Sequence, residues 1–249
     1  MAIKNNELTS RLANFKNLFL LSPVIVSSGQ FIPADWSRGV LQDPAIAKLV
    51  AAELAGQIDL SSIDVIAGIE LQGVPLAMAM ALETGKPMVI VREKPKRPGR
   101  SPIIGDVNFL HEGSRALLVD DLMAYGGTKE DRAKMLEERG GRVTDIAVFS
   151  HVRCTPPTQR TEGYNYDAES WLTERGIKLH QLLWHHELAD LQANTGTISK
   201  ELCEFIHHNA DGPYWENPDN IRRLLDYMKR ENVPILDHVL EHARKWGAL

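Results

Sequence analysis

Residues 117–131 read LLVDDLMAYGGTKED and contain the groups from which an anion site can be built. An apolar run (Ala116, Leu117, Leu118, Val119) delivers Asp120 and Asp121, and Ala124-Tyr125-Gly126-Gly127-Thr128 follow. A backbone that leaves a strand, turns on two glycines and enters a helix aims successive N–H groups into one concavity, where the helix amino end adds partial positive charge. The glycines permit unusual backbone angles and the close approach of a phosphate. Thr128 adds a hydroxyl donor. Two carboxylates would repel a phosphate directly, so Asp120 and Asp121 suit sugar hydroxyls, or the indirect support of a magnesium ion. A phosphate beside a diol describes a ribose 5-phosphate. The competing reading is a strand ending in an acidic turn that two glycines merely shape. It explains the glycine pair but not the full order of apolar strand, acids, glycines and helix.

The surrounding pattern positions these residues. Ala45–Ile58 places Ile46, Leu49, Val50 and Leu54 at helical spacing after an Asp43-Pro44 start signal. Ser62–Gly68, Pro87–Val91, Ala116–Val119 and Asp145–Ser150 read as buried strands. Pro75–Thr84, closed by Gly85, and Thr128–Arg139, closed by Gly140-Gly141, read as the helices between them. Strands alternating with helices at this spacing predict βαβ units and a mostly parallel sheet. Arg153–Tyr166 is a long Thr/Pro/Gly-rich loop, Ala168–Arg175 a helix and Ile177–Leu183 a last strand. Beyond about Asn194 only helical patterns remain, at Ser199–His208, Pro218–Arg230 and Pro234–Trp246. The expected organisation is an α/β domain over residues 1–192 and a helical appendage over 193–249.

Composition narrows the partners. The chain has 249 residues and a net charge of −5, so any anion is held by local groups, and nucleic acid is a poor candidate partner. Cys154 and Cys203 are far apart and fit no disulfide or metal spacing, which points to a reducing cytosol. Asn17–Val26 resembles the apolar part of a secretion signal, but Glu7 interrupts the positive flank and no small-residue cleavage site follows. A core segment is the better reading. No stretch is long enough to cross a membrane. His185-His186 and His207-His208 invite a metal reading. Yet HHELAD lacks the second histidine of a zinc helix, and adjacent residues point to different faces, so packing or surface roles are expected.

LLVDDLMAYGGT resembles the phosphoribosyl-pyrophosphate motif of the type I phosphoribosyltransferases, and the chain from about residue 8 to 192 is similar in order to orotate phosphoribosyltransferases. VIVSSGQFIPADW (24–36) is similar to the segment before that family's first long helix. VIAGIELQGVPLAMAMALETGKPMVIVREKPKRPG (65–99) is similar to its second strand, diphosphate loop, helix, third strand and mobile loop. GIKLHQLLWHHEL (176–188) is similar to its last strand and closing helix. The resemblance implies a central mostly parallel sheet flanked by helices, a small N-terminal hood and an extra C-terminal helical segment. It also implies a magnesium-dependent transfer of ribose 5-phosphate from phosphoribosyl pyrophosphate to orotate or a related carboxylated ring, in a cytoplasmic homodimer. In that reading Asp120 and Asp121 hold the ribose hydroxyls and Ala124–Thr128 (Tyr125, Gly126 and Gly127 included) the 5-phosphate. Gln72, Gly73, Arg92, Lys94 and Lys96 face the diphosphate, and Ser28, Gly29 and Arg153 face the acceptor. Lys96 and Asp121 are the catalytic candidates. Arg92, Lys94, Lys96, Arg97 and Arg100 give five cations in nine residues, and Pro95, Pro98 and Gly99 mark a loop, so a lid over the leaving group is expected.

The likeness is incomplete. Tyr125 stands where a small hydroxyl residue is usual, Glu93 and Gln72 where lysines are common, and Pro98 where a histidine is common. Ser27, Asp35-Trp36 and Val152 also depart on the acceptor side. Three readings therefore stay open: the orotate enzyme, a transferase with another acceptor, and a non-catalytic sensor of phosphoribosyl pyrophosphate or a nucleotide.

Overall fold

The computed structural model describes residues 3–26, 28–36, 38–93, 101–162 and 166–249. Four two-residue strands, β1 (Phe19–Leu20), β2 (Val24–Ile25), β3 (Phe31–Ile32) and β4 (Asp35–Trp36), form two antiparallel pairs, β1 with β4 and β2 with β3. The central sheet has six strands: β5 (Val65–Ile69), β6 (Met88–Val91), β7 (Ile103–Ile104), β8 (Arg115–Met123), β9 (Arg142–His151) and β10 (Lys178–Trp184). Their order is β10-β9-β8-β5-β6-β7. The pairs β5–β6, β5–β8 and β8–β9 are parallel, and β7 adds an antiparallel edge to β6. This is the expected mostly parallel sheet, with one short edge strand that the apolar pattern does not predict.

The chain separates into two compact units. The first comprises Met1–Arg11, Arg38–His151 and Asn165–Leu183. Its β5 is buried along its whole length because helices cover both faces, which is why VIAGI reads as a continuous apolar run and does not alternate. Helix α1 (Asn6–Ala13) opens the chain. Helix α2 (Pro44–Ala55) starts where Asp43 Oδ1 accepts from the amides of Ala45 and Ile46, with Pro44 in the first turn. Helix α3 (Gly73–Thr84) connects β5 to β6 and ends on Gly85 at φ +68°. Helix α4 (Gly127–Glu137) connects β8 to β9, and α5 (Ala168–Arg175) leads into β10. Val65, Ala67, Ile69, Ala116 and Leu118 of the sheet pack with Ala133 and Leu136 of α4 and Trp171 and Leu172 of α5.

The second unit comprises Leu12–Ser37, Val152–Tyr164 and Trp184–Leu249. It contains β1–β4 and the helices α6 (His185–Asn194), α7 (Lys200–His207), α8 (Gly212–Trp215), α9 (Pro218–Arg230) and α10 (Asp237–Lys245). The compact units therefore do not divide at residue 193 as the helical pattern suggests. The hood segment is built with the C-terminal helices. Phe31 stacks on His242 with ring centroids 4.3 Å apart, and Asn209 Nδ2 donates to Ala34 O at 3.0 Å. Gln30 Nε2 donates to the carbonyls of Thr155 at 2.7 Å and Ala210 at 2.6 Å. Within Asn17–Val26, Leu18 and Phe19 are buried, as a core segment requires. Among the described residues no helix is long and apolar enough to cross a membrane.

Candidate active site

Strand β8 runs on through both acids to Met123, so Asp120 and Asp121 lie within the strand's carboxyl end and not in the turn after it. Both are buried, at 6% and 7% exposure, which is costly for carboxylates unless they are partnered. Asp120 Oδ2 meets Lys129 Nζ at 2.5 Å, and Asp120 Oδ1 accepts the Asp121 amide at 2.9 Å. The carboxylate is thus fixed on both oxygens, with lone pairs remaining for further donors.

The turn after β8 has the expected geometry. Gly126 takes φ +84°, a left-handed conformation that costs residues with a Cβ about 1–2 kcal/mol. It caps α4 and, having no side chain, gives no side-chain bond to the first-turn amides of that helix. Such amides need an external acceptor, and the macrodipole favours an anion there. Thr128 is exposed in that turn. Helix α3 repeats the arrangement: Gln72 caps it without a side-chain bond. Gly73 then lies so close to β8 that a Cβ on it would stand 2.5 Å from Val119 O and 2.8 Å from Asp120 Cα. Gly73 is thus required by packing, and that packing brings the α3 amino end against Asp120. Two helix amino ends without side-chain caps, α3 and α4, therefore adjoin one buried carboxylate. The Glu70–Leu71 peptide just before α3 is cis.

Other expected residues fall out differently. Tyr125 is 4% exposed and packs edge-on against Tyr166 with centroids 4.8 Å apart, so its ring is part of the packing around the turn and does not stand out into solvent above it. Arg92, expected to face a diphosphate, places its guanidinium on the Glu70 carboxylate, with two N–O distances of 3.0 Å. Lys94, Lys96, Arg97 and Arg100, and Ser27 on the acceptor side, lie outside the described residues. The acceptor-side residues belong to the second unit. There Ser28 is buried, Gly29 has φ +78°, and the Arg153 guanidinium lies over the Trp184 ring at 5.4 Å. His185 is the packing histidine that the sequence suggests: it meets Phe19 and Trp36 edge-on, and burial pushes its pKa down to about 3.

Sequence reading missed Lys129, and it placed Glu70 in the diphosphate loop without its pairing to Arg92. Lysine in a polar helix normally faces water, but Lys129 shares helical spacing with Arg132, Ala133 and Leu136, and all four are buried. That spacing was the available signal.

A parallel sheet whose carboxyl edge presents paired acids, a glycine turn and two helix amino ends without a side-chain bond from their cap residues is the arrangement of a protein that handles phosphorylated sugars or nucleotides. Residues 38–174 match the phosphoribosyl transferase domain, and the chain belongs to that family. It is 42% identical over 156 residues to an orotate phosphoribosyltransferase of Thermococcus gammatolerans, covering 61% of this chain and 75% of the relative. It is 33% identical over 138 residues to an adenine phosphoribosyltransferase of Cenarchaeum symbiosum, covering 51% and 81%. Among solved structures, the orotate phosphoribosyltransferase of Aeropyrum pernix shares the fold at TM-score 0.56 and 24% identity, covering 74% of this chain and 96% of that one.

Proposed function

We propose that this phosphoribosyltransferase transfers ribose 5-phosphate from phosphoribosyl pyrophosphate to orotate and releases diphosphate. The observation that carries the reading is the pair of helix amino ends at Asp120 whose cap residues, Gln72 and Gly126, give no side-chain bond. One suits the 5-phosphate and the other the diphosphate, with the acids between them for the ribose diol. The α4 amides and Thr128 receive the 5-phosphate. Asp120, held by Lys129, and Asp121 accept from the ribose hydroxyls. Gly73 and its neighbours bind the leaving group, together with Arg92, Lys94 and Lys96. Magnesium fits this donor set: Asp120 and Asp121 would stand beside an ion held mainly by the diphosphate, and its charge would offset that of the leaving group. Breaking the C1–oxygen bond leaves an electron-poor sugar and an anionic leaving group, so catalysis rests on placed positive charge and on excluding water. The orotate assignment rests on the 42%-identical relative, and a homodimer and a cytoplasmic location are expected with it. Arg153 suits the acceptor carboxylate, which a guanidinium can grip with two parallel bonds.

The 33%-identical relative keeps a purine acceptor as the second reading. Diphosphate release from phosphoribosyl pyrophosphate and Mg2+ decides between them when orotate, other carboxylated rings and adenine are compared, with Asp121→Asn as control. We expect release with orotate that the control loses by at least about 100-fold. Release with adenine alone would replace the acceptor assignment. Tight donor binding with no release in any arm would favour a sensing role.

A further inference from the structure

Helices α6 and α7 of the second unit each present a pair of metal-binding side chains one turn apart. His186 and Asp190 are four residues apart on α6, and Cys203 and His207 are four apart on α7. Such pairs share a helix face. The fold then brings the pairs together. Ligand atoms of Asp190, Cys203 and His207 all lie within 4.8 Å of one another. Asp190 Oδ1 is 2.7 Å from His207 Nε2 and 3.5 Å from Cys203 Sγ. The His186 and His207 ring centroids are 5.3 Å apart. Two imidazoles on one tetrahedral ion, with metal–nitrogen bonds of about 2.0–2.1 Å, hold their centroids about 5 Å apart. Neighbouring ligand atoms in such a site are about 3.3–3.8 Å apart, so the atoms of Asp190, Cys203 and His207 need shifts of about 1 Å, and His186, which lies outside that three-residue cluster, must turn its ring to join them.

We propose that His186, Asp190, Cys203 and His207 form a tetrahedral site for a zinc-class divalent ion that staples α6 to α7. A thiolate and two imidazoles select zinc over magnesium or calcium. One thiolate and one carboxylate neutralise the two charges of the ion, so the site carries no net charge where Cys203 is buried. Binding requires the Cys203 thiol to release its proton to solvent. His207 must also bear its proton on Nδ1, so that Nε2 turns from Asp190 to the metal. Sequence spacing hides this set because neither helix alone carries a recognised motif. The cysteine and both histidine pairs fall within one unit only through the packing of α6 on α7.

The test is zinc and cobalt binding to full-length, tag-free protein, measured by competition with a chromophoric chelator. One Zn2+ per chain is expected, with a Co2+ complex that shows thiolate-to-metal charge transfer, and a melting temperature that rises with Zn2+ and falls back in chelator. Cys203→Ala should abolish the charge-transfer band. His207→Ala should weaken binding by more than the roughly 10–100-fold that loss of a supporting hydrogen bond causes. His186→Ala should do the same. Melting of each variant in chelator, unchanged from wild type in chelator, separates a lost ligand from a lost fold. Substoichiometric binding by the wild type, or a band that survives Cys203→Ala, would overturn the site. Unchanged affinity in His186→Ala would overturn the fourth ligand.

Discussion

Asp120 and Lys129 form a pair whose worth depends on both members being present. Their side chains are 8% and 9% exposed. Removing one partner of a buried pair leaves an uncompensated charge and typically costs about 3–5 kcal/mol, whereas replacing both is often close to neutral. Lys129→Met is therefore expected to lower unfolding stability by about that amount in urea titration, and Lys129→Met with Asp120→Asn should recover most of the loss. If the double variant is no more stable than Lys129→Met, the pair does not hold Asp120. At this scale the acids and glycines were legible because their order along the chain repeats their order in space. Lys129 was not, since a lysine's partner is chosen by the geometry of a neighbouring strand. Arg92 illustrates the same limit: its charge is plain in the sequence, but Glu70, twenty-two residues away, takes up its guanidinium.

Among the elements, the junction of α3 with β8 sets the site. The glycine at the start of α3 lets the helix approach the strand to a distance that a single methyl group would prevent. Gly73→Ala would place a Cβ 2.5 Å from Val119 O, a backbone atom that cannot rotate away. The helix must then move, at an expected cost of about 1–3 kcal/mol, and its amino end moves with it. Thermal unfolding should show that loss, and donor binding should weaken beside it. Wild-type donor affinity in a destabilised Gly73→Ala protein would separate the helix from the phosphate. Buried strands were readable as short apolar runs, and Ala168–Arg175 and Pro218–Arg230 were readable to the residue from their start and stop signals. The end of β8 was not, because Asp120 and Asp121 look like a loop unless the strand is known to run on beneath two helix ends. Two-residue strands such as β7 carry no periodicity to read.

The molecule as a whole departs most from its sequence pattern at the tail. Helical periodicity after residue 193 suggests an appendage, yet the second unit gathers three separated segments. Nothing local marks that union, because its contacts join residues more than a hundred positions apart, as with Gln30 and Ala210. His242 offers a reading of the unit's integrity. It stacks on Phe31 and its Nε2–H donates to Trp215 O at 2.8 Å, and burial lowers its pKa from the usual 6.5. Below about pH 6.5 the unfolded chain therefore takes up a proton that the folded one resists, so stability is full above that pH and declines beneath it. Urea unfolding from about pH 7.5 to about pH 5.5 should show a steeper decline for the wild type than for His242→Gln, which cannot titrate. Equal slopes would remove His242 from the account.

The hydrogen bonds of Gln30 also bear on the order in which a ribosome must deliver this chain. Its carbonyl partners, Thr155 and Ala210, emerge 125 and 180 residues later. Residues 65–151, which hold five of the six central strands, are synthesised in between and have local crossovers to guide them. The hood segment, with Phe31 still lacking His242, must wait through that interval as exposed apolar chain. Long loops add little to the final free energy, since closure entropy grows only logarithmically with length. Their cost falls on the nascent chain as time spent unpaired, when such surface is prone to aggregation and is what chaperones engage.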